Sequence, residues 1–127
     1  ELAAFLDGAP GKITMLYRRD RELARALRAL LADALPRAMG LEEAARELNL
    51  SSRTLHRRLE DEGLNFRGIK DCLRRDLALS RLARPGESVA RIAADLGYSE
   101  PSAFFRAFQG WTGEAPSAWR RKARGRG

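Results

Sequence analysis

Two short sets of side chains have the types and spacing to read nucleic-acid bases. Arg53, His56 and Arg57 stand at i, i+3 and i+4, and Ser102, Phe105 and Arg106 repeat that spacing. On a helix such positions share one face. Arg57 and Arg106 can each offer a two-pronged donor to guanine O6 and N7, His56 and Ser102 suit mixed donor and acceptor contacts, and Phe105 can touch a thymine methyl. Ser51, Thr54 and Ser99 lie where these helices begin and, with Arg67, Lys70 and Arg74 on the segment between them, are candidates for phosphate contact. Alone, His56 reads as an ordinary surface histidine; its place between two arginines gives it a base-reading role.

Little else in the chain could do chemistry. One histidine and one cysteine, Cys72, supply neither a zinc set nor an internal disulfide. The carboxylates are scattered along helical patterns, so no nucleophile with its base and no acid pair stands out, and neither enzyme activity nor a cofactor is expected. Cys72 reads as a small core residue in a reducing cytoplasm, with a redox sensor as the alternative. Twenty-four basic against seventeen acidic residues give a net charge of +7, which favours a polyanionic partner. No apolar run approaches the roughly 20 residues that span a bilayer, so no membrane partner is expected.

The elements that must position these side chains are helices. The 127 residues suffice for one domain, and valine, isoleucine and threonine are scarce beside alanine and leucine. Residues 1–19 contain a turn-forming cluster, Asp7-Gly8-Ala9-Pro10-Gly11, and read as a linker or the remnant of a preceding domain, or as a segment packed on the first helix. Asp20 is the expected N-cap of that helix, which keeps Leu23, Leu27, Leu30, Leu31 and Leu35 on one side and stops near Pro36. A short helix from Leu41 to Leu48 follows. Ser51 then caps a helix that turns Leu55 and Leu59 inward and ends at Gly63. Together residues 41–63 make a helix-turn-helix unit.

The longest pattern, Phe66 to Arg84, places Phe66, Ile69, Leu73 and Leu77 inward and would span roughly 28 Å. Arg67, Lys70, Arg74 and Arg81 line its other face. Ser88 to Leu96 repeats the earlier short helix. Ser99 is the expected cap of a helix with Pro101 in its first turn and Phe104, Phe108 and Trp111 inward, giving a second unit over 88–113. A last helix over about 116–122 leads into a basic tail that either adds phosphate affinity or is disordered. Trp111 and Trp119 read as core anchors.

The two units are an internal repeat. Ala45, Leu48, Leu50 and Ser51 match Ala93, Leu96, Tyr98 and Ser99 at an offset of 48. The offset becomes 49 for Leu55/Phe104, Arg57/Arg106 and Leu59/Phe108, and 50 for Gly63/Gly113. Glu60-Asp61-Glu62 at the far end of the first recognition helix would repel DNA, so only the N-terminal half can do the reading.

These residues resemble the DNA-binding domain of the AraC/XylS family of bacterial transcription regulators over about 20–123. The segments that carry the resemblance are LEEAARELNLSSRTLHRRLEDEGLNF at 41–66, RRDLALSRLAR at 74–84 and SVARIAADLGYSEPSAFFRAFQGWTGEAPSAWR at 88–120. Tyr98, Leu59 and Trp119 replace residues more usual in the family, each by an apolar or aromatic side chain. The resemblance implies an all-α domain of about seven helices over 20–127, with two helix-turn-helix units joined by a long linker helix. It implies binding to double-stranded promoter DNA in successive major-groove segments, and in many members contact with RNA polymerase. Arg53, His56, Arg57, Ser102, Phe105 and Arg106 match the family's base-reading positions. Members carry an effector-binding or dimerisation domain, for which this chain has no room. The rival reading is a helical protein-interaction adaptor whose basic face serves solubility. An RNA-binding domain ranks lower, because no RNA-recognition signature is present.

Overall fold

The computed structural model describes the backbone of residues 11–126 and the side chains of residues 22–125. Within them are seven helices and no strand: α1 (Gly11–Ala34), α2 (Leu41–Glu47), α3 (Ser52–Asp61), α4 (Phe66–Ala83), α5 (Val89–Asp95), α6 (Pro101–Thr112) and α7 (Pro116–Arg126). The expected turn over Asp7–Pro10 lies outside the described residues. Asp20 is not an N-cap. Helix α1 begins at Gly11 and passes through Asp20, because no breaker separates Lys12 from Leu35 and an interior aspartate costs only a few tenths of a kcal/mol.

Two hydrophobic cores share one helix. The first is closed by Leu23, Leu27 and Leu31 of α1, Ala44 and Ala45 of α2, Leu55 and Leu59 of α3, and Ile69 and Leu73 in the N-terminal half of α4. The second gathers Ala78 and Leu82 from the C-terminal half of α4 with Ile92, Ala93, Leu96, Phe104 and Phe108. Partly buried Leu77 and Leu35 pack on both. A single continuous helix of 18 residues thus carries both units; at 1.5 Å per residue it is about 27 Å long.

Local signals explain where the helices start and stop. Asn65 begins α4, its side-chain oxygen accepting the Gly68 amide at 2.6 Å, and Ser88 begins α5 by accepting the Arg91 amide at 3.0 Å. After α2 and α5 the chain turns through a left-handed residue, Asn49 (φ 60°) and Gly97 (φ 96°). In both turns the next amide reaches back to a helix carbonyl, Leu50 to Ala45 at 2.8 Å and Tyr98 to Ala93 at 3.1 Å. This six-residue closure satisfies the last carbonyls and aims the following helix across the preceding one. Gly63 (φ 74°) closes α3 in the same manner, with Leu64 donating to the Leu59 carbonyl at 2.8 Å.

Candidate nucleic-acid interface

Each recognition helix is pinned by two buried side chains one turn apart. In α3, Leu55 and Leu59 are buried, which turns Arg53, His56 and Arg57 outward, all exposed. In α6, Phe104 and Phe108 are buried and Ser102, Phe105 and Arg106 are exposed. The structure therefore brings each predicted triad onto one solvent-facing stripe.

The two helix starts differ. Ser51 caps α3 as expected: its Oγ accepts the Thr54 amide at 3.0 Å and donates to Thr54 Oγ1 at 2.9 Å. Ser99 is not the cap of α6. That position is Glu100, whose side chain makes no capping bond. Pro101 explains the shift, since a proline at the first helical position forces the residue before it into extended backbone, and Glu100 has φ −140° and ψ 143°. The one-residue slip in the repeat thus lies in the turn, ahead of α6, and puts Arg106 in the register of Arg57.

Charge pairing engages some arginines and leaves others, the recognition arginines together with Arg58 and Arg67 among them, without a carboxylate among the described residues. Among the described residues, Arg53, Arg57 and Arg106 form no ion pair, whereas Arg28 pairs with Asp76 at 2.9 Å, Arg37 with Glu43 at 2.8 Å, and Arg81 with both Glu87 and Asp95. His56 Nε2 lies 3.3 Å from Glu60, tying the imidazole toward the acidic end of α3. Phe105 tilts against Phe104 at 6.4 Å between centroids while remaining 44% exposed, so its ring has both a local anchor and a free face.

The outer face of α4 is not a uniform basic strip. Arg67 is exposed. Lys70 Nζ sits 5.7 Å from the Phe66 ring centre, and burial, with the neighbouring Arg74 and Arg67 charges, pushes its ammonium below the ordinary lysine range. The Arg74 guanidinium lies over the Tyr98 ring at 4.8 Å, and burial pushes the Tyr98 phenol above its usual value. Arg81 faces inward on its carboxylates: its hydrogen bonds to Glu87 and Asp95 hold both acids below the usual carboxylate range. Cys72 is exposed rather than a core residue, because it stands on the open side of the groove between α1 and α4 beside Leu64.

Several positions escaped the sequence reading. The basic tail continues as α7 to Arg126, and Arg120 Nε donates to the Leu82 carbonyl at 3.0 Å, closing the end of α4. Trp111 and Trp119 do anchor the second core, each edge-on to Phe108 at 6.3 Å. Asn65 and Ser88 were legible as caps, since each precedes a periodic apolar segment. Among the described residues no group of His, Cys, Asp or Glu gathers to hold a metal, and no helix is long and apolar enough to cross a membrane.

Comparison with known proteins places this architecture. Residues 44–122 match the family described as Helix-turn-helix domain. The HTH-type transcriptional regulator Rv1395 of Mycobacterium tuberculosis is 37% identical over 112 residues, covering 85% of this chain and 32% of that protein. VirS of the same species is 38% identical over 102 residues, 80% of this chain and 30% of VirS. The chain thus spans about a third of the length of these curated relatives. Among solved structures, the DNA-binding domain of AdpA in complex with a target DNA superposes with a TM-score of 0.69 at 27% identity, covering 82% of this chain and 94% of that one. A DNA-binding transcriptional dual regulator from Escherichia coli K-12 shares the fold at a TM-score of 0.76 and 22% identity, over 80% of this chain and 91% of its own. The twin units, their shared linker helix and these matches make the chain a member of the AraC/XylS-type helix-turn-helix family of transcriptional regulators, a non-enzymatic family.

Proposed function

We propose that this domain binds promoter DNA sequence-specifically, with α3 and α6 reading successive major-groove segments; the continuous helix Gly11–Ala34 leaves no boundary at residue 20. Arg57 and Arg106 fork onto guanines. Arg53, His56, Ser102 and Phe105 complete the base contacts, and Ser51, Thr54, Ser99, Arg67, Lys70 and Arg74 are the phosphate-facing set. The observation that carries this reading is the matched pair Arg57 and Arg106, exposed, in equal register on two equivalent helices, and free of carboxylate partners among the described residues. Helix α4, about 27 Å long, is comparable with the ~34 Å of one DNA turn. The likeness to the AdpA domain in complex with its target DNA supports the same reading. RNA polymerase is the second partner in this reading, engaged once the domain sits on a promoter.

Selection from a random duplex library tests it. The expected product is a site with two short elements about one helical turn apart, bound with log affinity that falls linearly against log salt as counterions are released. Failure to enrich any duplex favours the interaction adaptor.

A further inference from the structure

The two units have separate cores, yet they touch at one point where the chain leaves no slack. A Cβ on Gly97 would lie 2.7 Å from the Pro36 carbonyl oxygen and 3.4 Å from a guanidinium nitrogen of Arg74. The nearer atom is backbone and cannot rotate away. Pro36 belongs to the loop between α1 and α2, ahead of the first unit and beside its core; Gly97 is the turn residue of the second unit. The neighbours on both sides reinforce the contact. Arg74 of α4 covers the ring of Tyr98, the residue after Gly97, at 4.8 Å, and Tyr98 tilts against the fully buried Phe104 at 5.5 Å. Leu35, the residue before Pro36, packs on both cores.

The repeat supplies its own control. Asn49 occupies the place of Gly97 in the first unit and is also left-handed, at φ 60°. The turn therefore accepts a side chain; asparagine is among the residues that adopt this conformation most readily. What sets Gly97 apart is its φ of 96°, further from the asparagine range than Asn49, together with the close approach of Pro36, a contact made across the boundary between the two cores.

We propose that Gly97, Arg74 and Tyr98 form a joint that fixes how the two helix-turn-helix units sit relative to each other, and so sets the spacing between DNA elements that the domain accepts. The spacing role rests on the two-element reading above. Gly97 and Tyr98 are positioning residues that act through the placement of α6, while Arg74 serves the joint as well as the phosphate-facing set. Gly97→Asn puts a Cβ against Pro36 and adds the strain of a side chain at φ 96°, using the residue that the matching turn of the first unit carries. Tyr98→Ala removes the ring beneath Arg74, and Tyr98→Phe keeps it.

Two measurements on the whole chain test the joint. The first uses spin labels on cysteines replacing Glu47 of α2 and Gln109 of α6, both exposed, with Cys72→Ser. The expected result is one narrow distance distribution for the parent, a shifted or broadened one for Gly97→Asn and Tyr98→Ala, and the parent distribution for Tyr98→Phe. Unchanged distributions in Gly97→Asn and Tyr98→Ala overturn the joint, with or without DNA. The second measures affinity for selected duplexes in which the two elements are moved apart one base pair at a time. The parent is expected to prefer one spacing over its neighbours by roughly tenfold, about the penalty of one mismatched pair. Gly97→Asn and Tyr98→Ala should flatten or move that preference and leave affinity for a single element unchanged. A parent with no spacing preference defeats the two-element reading and the spacing role together, while the label distances still decide whether the joint exists. A preference that survives in both variants defeats the spacing role alone.

Discussion

The two helix-turn-helix units follow the same path with different materials. The first fills its core with aliphatic side chains, with Phe66 the one aromatic packed against it among the described residues, and fixes its recognition helix with a serine cap. The second packs Tyr98, Phe104, Phe108, Trp111 and Trp119 together and begins its recognition helix with proline and no capping side chain. What they share is smaller: a left-handed residue after the short helix, the same six-residue closure, two buried anchors one turn apart, and an exposed arginine at the same register with no ion pair among the described residues. The path is thus set by a few backbone-determining positions, and the filling is free to vary as long as volume and pattern hold.

The largest expected effect comes from the filling itself. Phe104 is fully buried and touches three other rings. Phe104→Ala should cost about 3–5 kcal/mol and Leu55→Ala about 2–5. Urea unfolding checks this, with tryptophan fluorescence reporting the second core, on which both tryptophans pack, and circular dichroism reporting the whole chain. A loss under about 2 kcal/mol for Phe104→Ala would mean that the aromatic cluster closes around the gap, and that the two cores are more alike than their composition says.

Next in size is the feature the units have in common. Arg57→Ala and Arg106→Ala should each cost about 1–3 kcal/mol of DNA-binding free energy and relax sequence preference at one element only, a different one for each. Titrations against the selected duplex and its single-base variants measure both effects. Equal losses on every sequence would make these arginines phosphate contacts and remove the base-reading role from both helices.

The helix starts give a smaller contrast. Ser51→Ala should destabilise the chain by about 1 kcal/mol, because the Thr54 amide loses its acceptor. Ser99→Ala should stay within about 0.5 kcal/mol, as expected of a surface substitution outside a cap. Glu100→Ser should gain a fraction of the cap energy. If Ser99→Ala proves as costly as Ser51→Ala in thermal unfolding, the two starts are equivalent in solution.

How much of this was legible before any coordinates follows from the range of each signal. Helix periodicity and local caps are written within a few residues, so the seven helices, Ser51 and the outward triads could be read directly. Ser99 was misread although the correct signal stood two residues on: Pro101 fixes the first helical position, and that rule outranks the preference of serine for caps. Asp20 failed for the mirror reason, a cap residue with no breaker before it in the helix. Cys72 lies at the margin of the inward stripe of α4, where periodicity cannot say whether a neighbouring element covers it. Contacts such as Arg120 with Leu82, or Gly97 with Pro36, join residues far apart in sequence and leave no local trace.

The smallest effect concerns the ionic braces, where the units again differ. The Arg81 side chain is 19% exposed and holds two carboxylates, tying the end of α4 to α5; that of Arg37 is 57% exposed and holds Glu43 alone. In each case the arginine keeps its acids below their ordinary range. A carboxylate whose folded pKa is lowered contributes stability that is present above its unfolded value and lost as the pH falls through the folded one. Stability should therefore decline below about pH 4, the ordinary carboxylate region. Arg81→Met should flatten that decline more than Arg37→Met, because Arg81 depresses two acids from a less hydrated position. Salt separates the braces at neutral pH: added salt should erase the contribution of Arg37 before that of Arg81, since screening acts most on exposed pairs. Unfolding of both variants across pH and salt measures this. Equal flattening would mean that burial of the guanidinium does not matter here, and that the second unit owes its hold on α4 to its apolar core.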